Sequence, residues 1–214
     1  MKDLDRRLSA IISEIDCDVL ADIGCDHGYI GVQALIEHRA KRLIAADISE
    51  KSLSKCRLLA AEKNLTDRVE FVVSDGFENV TTVPDTAVIA GMGGYEIIKI
   101  LKTAKSLNRV PEKLILCPHQ NASELRRFLN NDPIEKDYIV RSDKKFYPII
   151  VVSAKGEKYR ADEFRYGKNY PANSDFFDML ESRICTLEER FQGKKMPEKV
   201  LTEYKETKEL LCRK

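Results

Sequence analysis

No stretch of the 214-residue chain approaches the roughly 18 consecutive apolar residues that a membrane span requires. The opening Met1-Lys2-Asp3-Leu4-Asp5-Arg6-Arg7 carries no apolar core of the kind that directs secretion. The expected address is therefore cytoplasmic, with no membrane partner. No Cys-x-x-Cys pair occurs among Cys17, Cys25, Cys56, Cys117, Cys185 and Cys212. Scattered cysteines argue against a zinc site or a disulfide framework, and those in apolar runs read as free thiols packed like small hydrophobes. No metal site is expected. Neither charge is in excess: the formal net charge is +1, and acidic and basic side chains balance in residues 1–156 and again in 157–214. Composition thus carries no nucleic-acid signal, and DNA is not an expected partner. Repeats and low-complexity tracts are absent as well. What is present, 43% hydrophobic and 33% charged residues, is the balance of a globular chain with one sizeable domain or one domain and a small appendage.

Leu4, Leu8, Ile11, Ile12 and Ile15 recur at helical spacing, which predicts an amphipathic helix ending at Asp16-Cys17-Asp18. Beyond it, short apolar runs at 19–23, 43–46, 69–73, 86–90 and 114–116 alternate with helical periods at 29–37, 50–63, 95–104 and 123–130. Strands alternating with helices mean βαβ units, so the fold class is α/β, a doubly wound, mostly parallel sheet. Residues 138–141 and 146–154, joined by the polar turn Ser142-Asp143-Lys144-Lys145, read as an antiparallel hairpin closing that sheet. The expected domain is residues 1–156. Residues 157–214 pass through loop chemistry at Tyr166-Gly167-Lys168-Asn169-Tyr170-Pro171 into a coiled-coil-like stripe of Phe177, Leu180, Ile184, Leu187 and Phe191. Gly193 and Pro197 mark a turn, and Val200, Leu201, Tyr204 and Leu211 form the partner stripe of a C-terminal helical hairpin.

The chemistry concentrates at strand ends. The first strand runs through Asp22-Ile23-Gly24-Cys25-Asp26-His27-Gly28 straight into a helix, where open α/β sheets bind nucleotide-like ligands. Gly24 and Gly28 permit a tight turn and close approach of a ligand, and Asp22 can reach a cationic amine. Asp26 stands where a dinucleotide-binding loop wants a second glycine, and its carboxylate would repel a pyrophosphate. A donor with no phosphate and two positive groups, S-adenosylmethionine, suits such a loop, whereas a nicotinamide dehydrogenase does not. Asp47, followed by Ile48, lies roughly 20 positions after Gly24, the separation at which an acid accepts ribose hydroxyls. Asp75 and Gly76 end the third strand, where a carboxylate can accept an adenine amino group. Gly91, Met92 and Gly93 end the fourth and leave a nearly bare backbone. The Asn/Asp-Pro-Pro-aromatic run of enzymes that methylate exocyclic amines is missing.

Leu4-Asp5-Arg6-Arg7-Leu8, the Asp-Ile-Gly-x-Asp-His-Gly-Tyr run at 22–29 and Ile89-Ala90-Gly91-Met92-Gly93-Gly94 together resemble the bacterial tRNA (adenine(22)-N1)-methyltransferases. The resemblance covers residues 4–154 in motif order. It implies a Rossmann-like class I methyltransferase domain with a coiled-coil appendage, and methyl transfer from S-adenosylmethionine to N1 of an adenine in the D-region of tRNA. On that basis Asp26 is the candidate acceptor for the target's exocyclic amine, with His27, His119 and Asn121 as further contacts. Tyr29 is the candidate stacking surface, and Arg6, Arg7, Arg126 and Arg127 the candidate phosphate contacts. One departure stands out: where the family reads Gln-Pro-Asn or Gln-Pro-Gln after its fifth strand, this chain reads Cys117-Pro118-His119. Methylation of another RNA site or a small molecule, and non-catalytic binding of the donor, are the competing readings. The oligomeric state is not legible.

Overall fold

The structure, a computed structural model, describes residues 5–169 and 173–212. Leu4 of the opening motif and Tyr170-Pro171 of the anticipated loop lie outside them. Helix α1 (Arg6–Ser13) starts where Asp5 accepts the Arg7 amide at 2.9 Å, satisfying one of the donors that every helix start leaves free. Then come β1 (Cys17–Ile23), α2 (Tyr29–Ile36), β2 (Ala40–Asp47), α3 (Glu50–Glu62), β3 (Val69–Val73), β4 (Thr86–Ala90), α4 (Gly94–Ser106), β5 (Lys113–Cys117) and α5 (Ala122–Phe128). The hairpin β6 (Ile134–Ser142) and β7 (Lys145–Val152) follows, and α6 (Ser174–Arg190) and α7 (Glu198–Leu211) complete the chain.

The sheet has seven strands in the order β3-β2-β1-β4-β5-β7-β6, parallel from β3 through β5 and antiparallel at β7 and β6. Alternate residues of the central strands feed two cores, one on each face. Leu20, Val88 and Ile115 pack on the side of α1, α2 and α3; Ala21, Ile89 and Leu116 pack on the side of α4 and α5. Burial on both faces is why these strands read as unbroken apolar runs rather than alternating ones.

Three expectations shift. The break foreseen at Asp16-Cys17-Asp18 is already strand from Cys17. The hairpin's first strand begins at Ile134, not Tyr138, with a bulge between Ile134 and Lys136, so charged residues interrupt its pattern. In the C-terminal pair Phe176 is the buried neighbour and Phe177 only half-buried, while on α7 Leu201 is 39% exposed and Thr207 is the buried residue. The stripe turns because α6 serves two partners: Phe176 and Leu180 pack on Ile139 of β6, while Arg183 donates to Glu203 of α7 at 2.6 Å. Segment 157–169 lies on the sheet domain through Glu157, paired with Ile134, and Tyr159, buried against Asp137. Among the described residues no helix is long and apolar enough to cross a membrane.

Candidate active site

The loop after β1 is built by left-handed backbone at Gly24 (φ 74°), Asp26 (φ 45°) and Gly28 (φ 75°). The Gly24 and Cys25 amides both donate to the Ala46 carbonyl, at 2.8 and 3.1 Å, which ties the loop to the end of β2. Gly24 has a second reason to be glycine: a Cβ there would sit 2.6 Å from the Met92 methyl. The Asp47 carboxylate accepts the Asp26 amide at 3.0 Å and the Ser49 amide at 2.9 Å, so one side chain sets both loops. Asp22 is buried and accepts the Gly31 amide at 3.1 Å. Burial pushes its carboxyl up to about 7, with Asp47 adding to the shift and the Gly31 hydrogen bond opposing it.

Two clefts open along the carboxyl edge of the sheet. The larger, about 390 Å³, takes in Asp47, Ile48, Asp75, Gly76 and Met92. The smaller, about 200 Å³, takes in Arg7, Asp22, Asp26, His27 and Tyr29. Gly24, Ala90 and Gly91 line both, so the clefts meet over the two glycine turns, with the Met92 methyl beside Gly24. Lys99 of α4 donates to Asp75 at 2.6 Å in the larger cleft. In the smaller, His27 stacks on Tyr29 with ring centroids 5.4 Å apart and planes 4° apart, and the Lys55 ammonium donates to His27 Nε2 at 3.1 Å. The Asp26 carboxylate is 66% exposed, with Ser52 Oγ donating to it at 3.4 Å. A hollow of about 500 Å³ beside Cys17, Thr86 and Lys113 is larger than either. It lies at the amino ends of β1, β4 and β5, whereas open α/β sheets present their ligand sites at the carboxyl ends.

Backbone bonds hold the turn after β4 in place: the His119 amide donates to the Met92 carbonyl at 2.9 Å and the Gly94 amide to the Gln120 carbonyl at 2.8 Å. Gly93 precedes α4, its amide donating to Glu96 at 2.9 Å. His119 therefore stands beside Gly91, with Nε2 3.7 Å from where a Gly91 Cβ would be. Burial and the neighbouring Arg7 and Lys145 charges hold its imidazole below the ordinary histidine value. Asn121, exposed and left-handed (φ 58°), starts α5 in the same loop. Gly28 lines neither cleft but lies beneath the Cys56 side chain, which leaves no room for a Cβ.

The structure separates the four arginines. Arg7 reaches the smaller cleft. Arg6 turns away to Asp175, donating at 3.2 Å. Arg127 lies over the Phe164 ring at 5.9 Å, in a different hollow bounded by Arg165 and Glu206. Arg126 as a phosphate contact is a correction: only 2% exposed, it grips both oxygens of Asp137 at 2.9 and 3.0 Å, and a guanidinium committed inside the core cannot meet RNA. Lys55, Lys99 and Tyr147, which the sequence reading passed over, also belong to this edge. The two lysines carry no local signature apart from helical spacing, and Tyr147 reads as ordinary strand. Among the described residues no group of His, Cys, Asp and Glu is arranged to hold a metal ion.

The family model that describes a methyltransferase domain matches residues 4–150. The tRNA (adenine(22)-N(1))-methyltransferase of Bacillus subtilis is 30% identical over 155 residues, 71% of this chain and 65% of that protein. The match thus spans a little less than two thirds of that relative's length. A candidate tRNA methyltransferase of Mycoplasma genitalium is 30% identical over 158 residues, 70% of this chain and 69% of its own. Among solved structures, a Streptococcus pneumoniae protein named as a candidate tRNA (m1A22) methyltransferase superposes with a TM-score of 0.86 at 25% identity, covering 97% of this chain and 99% of that one. That protein has also been solved in complex with S-adenosyl-L-methionine.

Proposed function

The chain belongs to the methyltransferase-domain family, and we propose that it moves a methyl group from S-adenosylmethionine to N1 of an adenine in tRNA, at the position 22 named for its relatives. The observation that carries the reading is the meeting of two clefts over Gly24, Ala90 and Gly91. One is large enough for a nucleoside donor and edged with carboxylates; the other ends at a stacked His27-Tyr29 pair. A tRNA substrate implies a cytoplasmic address.

The residues present suit the donor. Asp22 and Asp26 near the junction favour a sulfonium and an ammonium and disfavour any phosphate-bearing nucleotide. Asp22 would hold the amino group. Asp47 retains lone pairs for ribose hydroxyls after accepting two amides. Asp75, oriented by Lys99, would accept the adenine amino group, with Ile48 and Met92 against the ring. Bound there, S-adenosylmethionine supplies a methyl group already activated by its sulfonium.

The chain's own work is then alignment and exclusion of water. Bare backbone at Gly24 and Gly91 adds no side chain of its own between acceptor and donor. Tyr29, backed by His27, offers a flat surface for a base drawn out of the RNA stack, which offsets part of the few kcal/mol that unstacking costs. The target N1 attacks with its own lone pair, so no general base is needed before bond formation. Asp26 accepts a hydrogen bond from the exocyclic amine and draws off the positive charge that develops on the ring. Incubation with labelled S-adenosylmethionine and unmodified tRNA, followed by nucleoside mapping, tests the reading. The expected product is 1-methyladenosine; absence of label in tRNA, or label on a different nucleoside, overturns it.

A further inference from the structure

We propose that Tyr147 is a positioning residue that holds the Arg7 guanidinium at the mouth of the smaller cleft as a seat for one phosphodiester of the RNA strand beside the target adenine. The inference rests on the tRNA reading above and adds to it a residue on a strand otherwise occupied with the sheet. Three segments remote in sequence converge there. The Arg7 guanidinium carbon from α1 lies 4.9 Å from the centroid of the Tyr147 ring on β7. His119, from the loop after β5, meets the same ring edge-on at 5.8 Å and places Nε2 3.4 Å from Arg7 Nη1. One aromatic ring therefore orients both a cation and an imidazole.

The guanidinium is short of partners. The Arg7 side chain is 19% exposed, yet its buried Nε makes no hydrogen bond. The nearest carboxylate oxygen, Asp5 Oδ2, is 3.6 Å from Nε, an ion pair too long for a hydrogen bond, and the other Asp5 oxygen accepts the Arg7 amide and the Ser142 hydroxyl. The contact to His119 is long. A cation largely withdrawn from water with donors unfilled favours an anion that can fill them. Burial first, and then the Arg7 and Lys145 charges, press the His119 imidazole toward its uncharged form, so it does not add a second cation here. The planar fork of a guanidinium matches phosphate oxygens in pairs, and a cation held over a ring loses little freedom on meeting one. Arg7 lines the smaller cleft together with Asp26 and Tyr29, the two side chains placed against the acceptor adenine.

Tyr147→Leu, which keeps apolar bulk but has no aromatic face, is compared with Tyr147→Phe, Arg7→Ala and the double variant Arg7→Ala/Tyr147→Leu. Filter binding to unmodified tRNA over a range of salt, steady-state methyl transfer, and calorimetry with S-adenosylmethionine are measured on each full-length protein. Tyr147→Leu is expected to raise KM for tRNA about tenfold with kcat reduced no more than about twofold. It should also lower the salt slope of binding by about one, as Arg7→Ala does. The double variant should show no further loss, and Tyr147→Phe should return both quantities to near wild type. A salt slope in Tyr147→Leu equal to wild type overturns the proposal, as does Tyr147→Phe behaving like Tyr147→Leu. If Tyr147→Leu fails to fold, the Phe variant decides: a weakened slope there, where the ring is intact, overturns the proposal, and a retained slope supports it. Wild-type protein that takes up S-adenosylmethionine but neither binds nor methylates tRNA overturns the functional reading itself, a result distinct from any variant effect.

Discussion

Asp22 is a carboxyl group buried at the floor of the smaller cleft, with the Gly31 amide as its hydrogen-bond partner. Its folded-state value near 7 stands above the ordinary 3.8, so the folded chain keeps a proton that the unfolded chain has released. Stability from this group is present at low pH and is lost as pH rises between those two values. A bound cation reverses the preference, because it interacts only with the ionised form. S-Adenosylmethionine affinity should therefore climb about tenfold per pH unit below about 7 and level off above it. Calorimetry across that range checks the slope, and Asp22→Asn should bind weakly with no such slope; a wild-type affinity flat in pH refutes the assignment. Gly24→Ala should cut methyl transfer at least tenfold, since a side chain at φ 74° is strained by about 1–2 kcal/mol and its Cβ meets Met92 at the cleft junction. Circular dichroism and single-turnover kinetics together separate that block from unfolding. At this scale the placement of Gly24, Gly91 and the acids at the carboxyl edge was legible in the sequence, because it follows from strand-end position. Arg126 was misread because nothing near it in sequence signals burial; Asp137, which captures it, lies on a different element.

Elements are joined by a few such captures. Arg126 on α5 donates to both Asp137 oxygens on β6 and to the Arg165 carbonyl, and Tyr159 donates to Asp137 at 2.7 Å. One carboxylate thus links a helix, an edge strand and segment 157–169. Its oxygens are almost fully committed, and Gly167 approaches so closely that a Cβ there would press on them. Removing one partner leaves a buried charge without its counter-ion, a change that typically costs about 3–5 kcal/mol. Arg126→Ala and Asp137→Ala should each lower unfolding free energy by about that amount, and the double variant should lose much less than their sum; chemical denaturation of all three measures the coupling. Strands 69–73 and 86–90 were readable to their ends because polar turns bracket them. The start of β6 was not. Its Glu135, Lys136 and Asp137 look like loop, but a bulge and an edge position let charged residues share the strand with Ile134 and Tyr138.

At the scale of the molecule, adjacent residues of α1 face opposite tasks. Arg7 enters the smaller cleft at the carboxyl edge, while Arg6 reaches Asp175 at the start of α6. Asp175 also accepts the Arg141 amide of β6 at 2.9 Å, and Phe176 and Leu180 bury against Ile139 just behind it. The helical pair thus hangs on the outermost strand of the sheet and touches the first turn of the helix that carries Arg7. The sequence showed that the pair exists but not where it docks, because its stripe suits a partner helix and a sheet edge equally. Asp175→Ala removes the shared acceptor and leaves the Arg141 amide and the Arg6 guanidinium without it, a loss of about 1–3 kcal/mol concentrated where α6 meets β6. Amide exchange should accelerate in the first turns of α6 and at Arg141 while the central strands keep their protection. Because α1 loses its contact with α6 at the same time, tRNA binding should weaken several-fold with donor affinity unchanged. Faster exchange in α6 with tRNA affinity intact would mean that the helical pair is anchored to the sheet independently of the acceptor cleft.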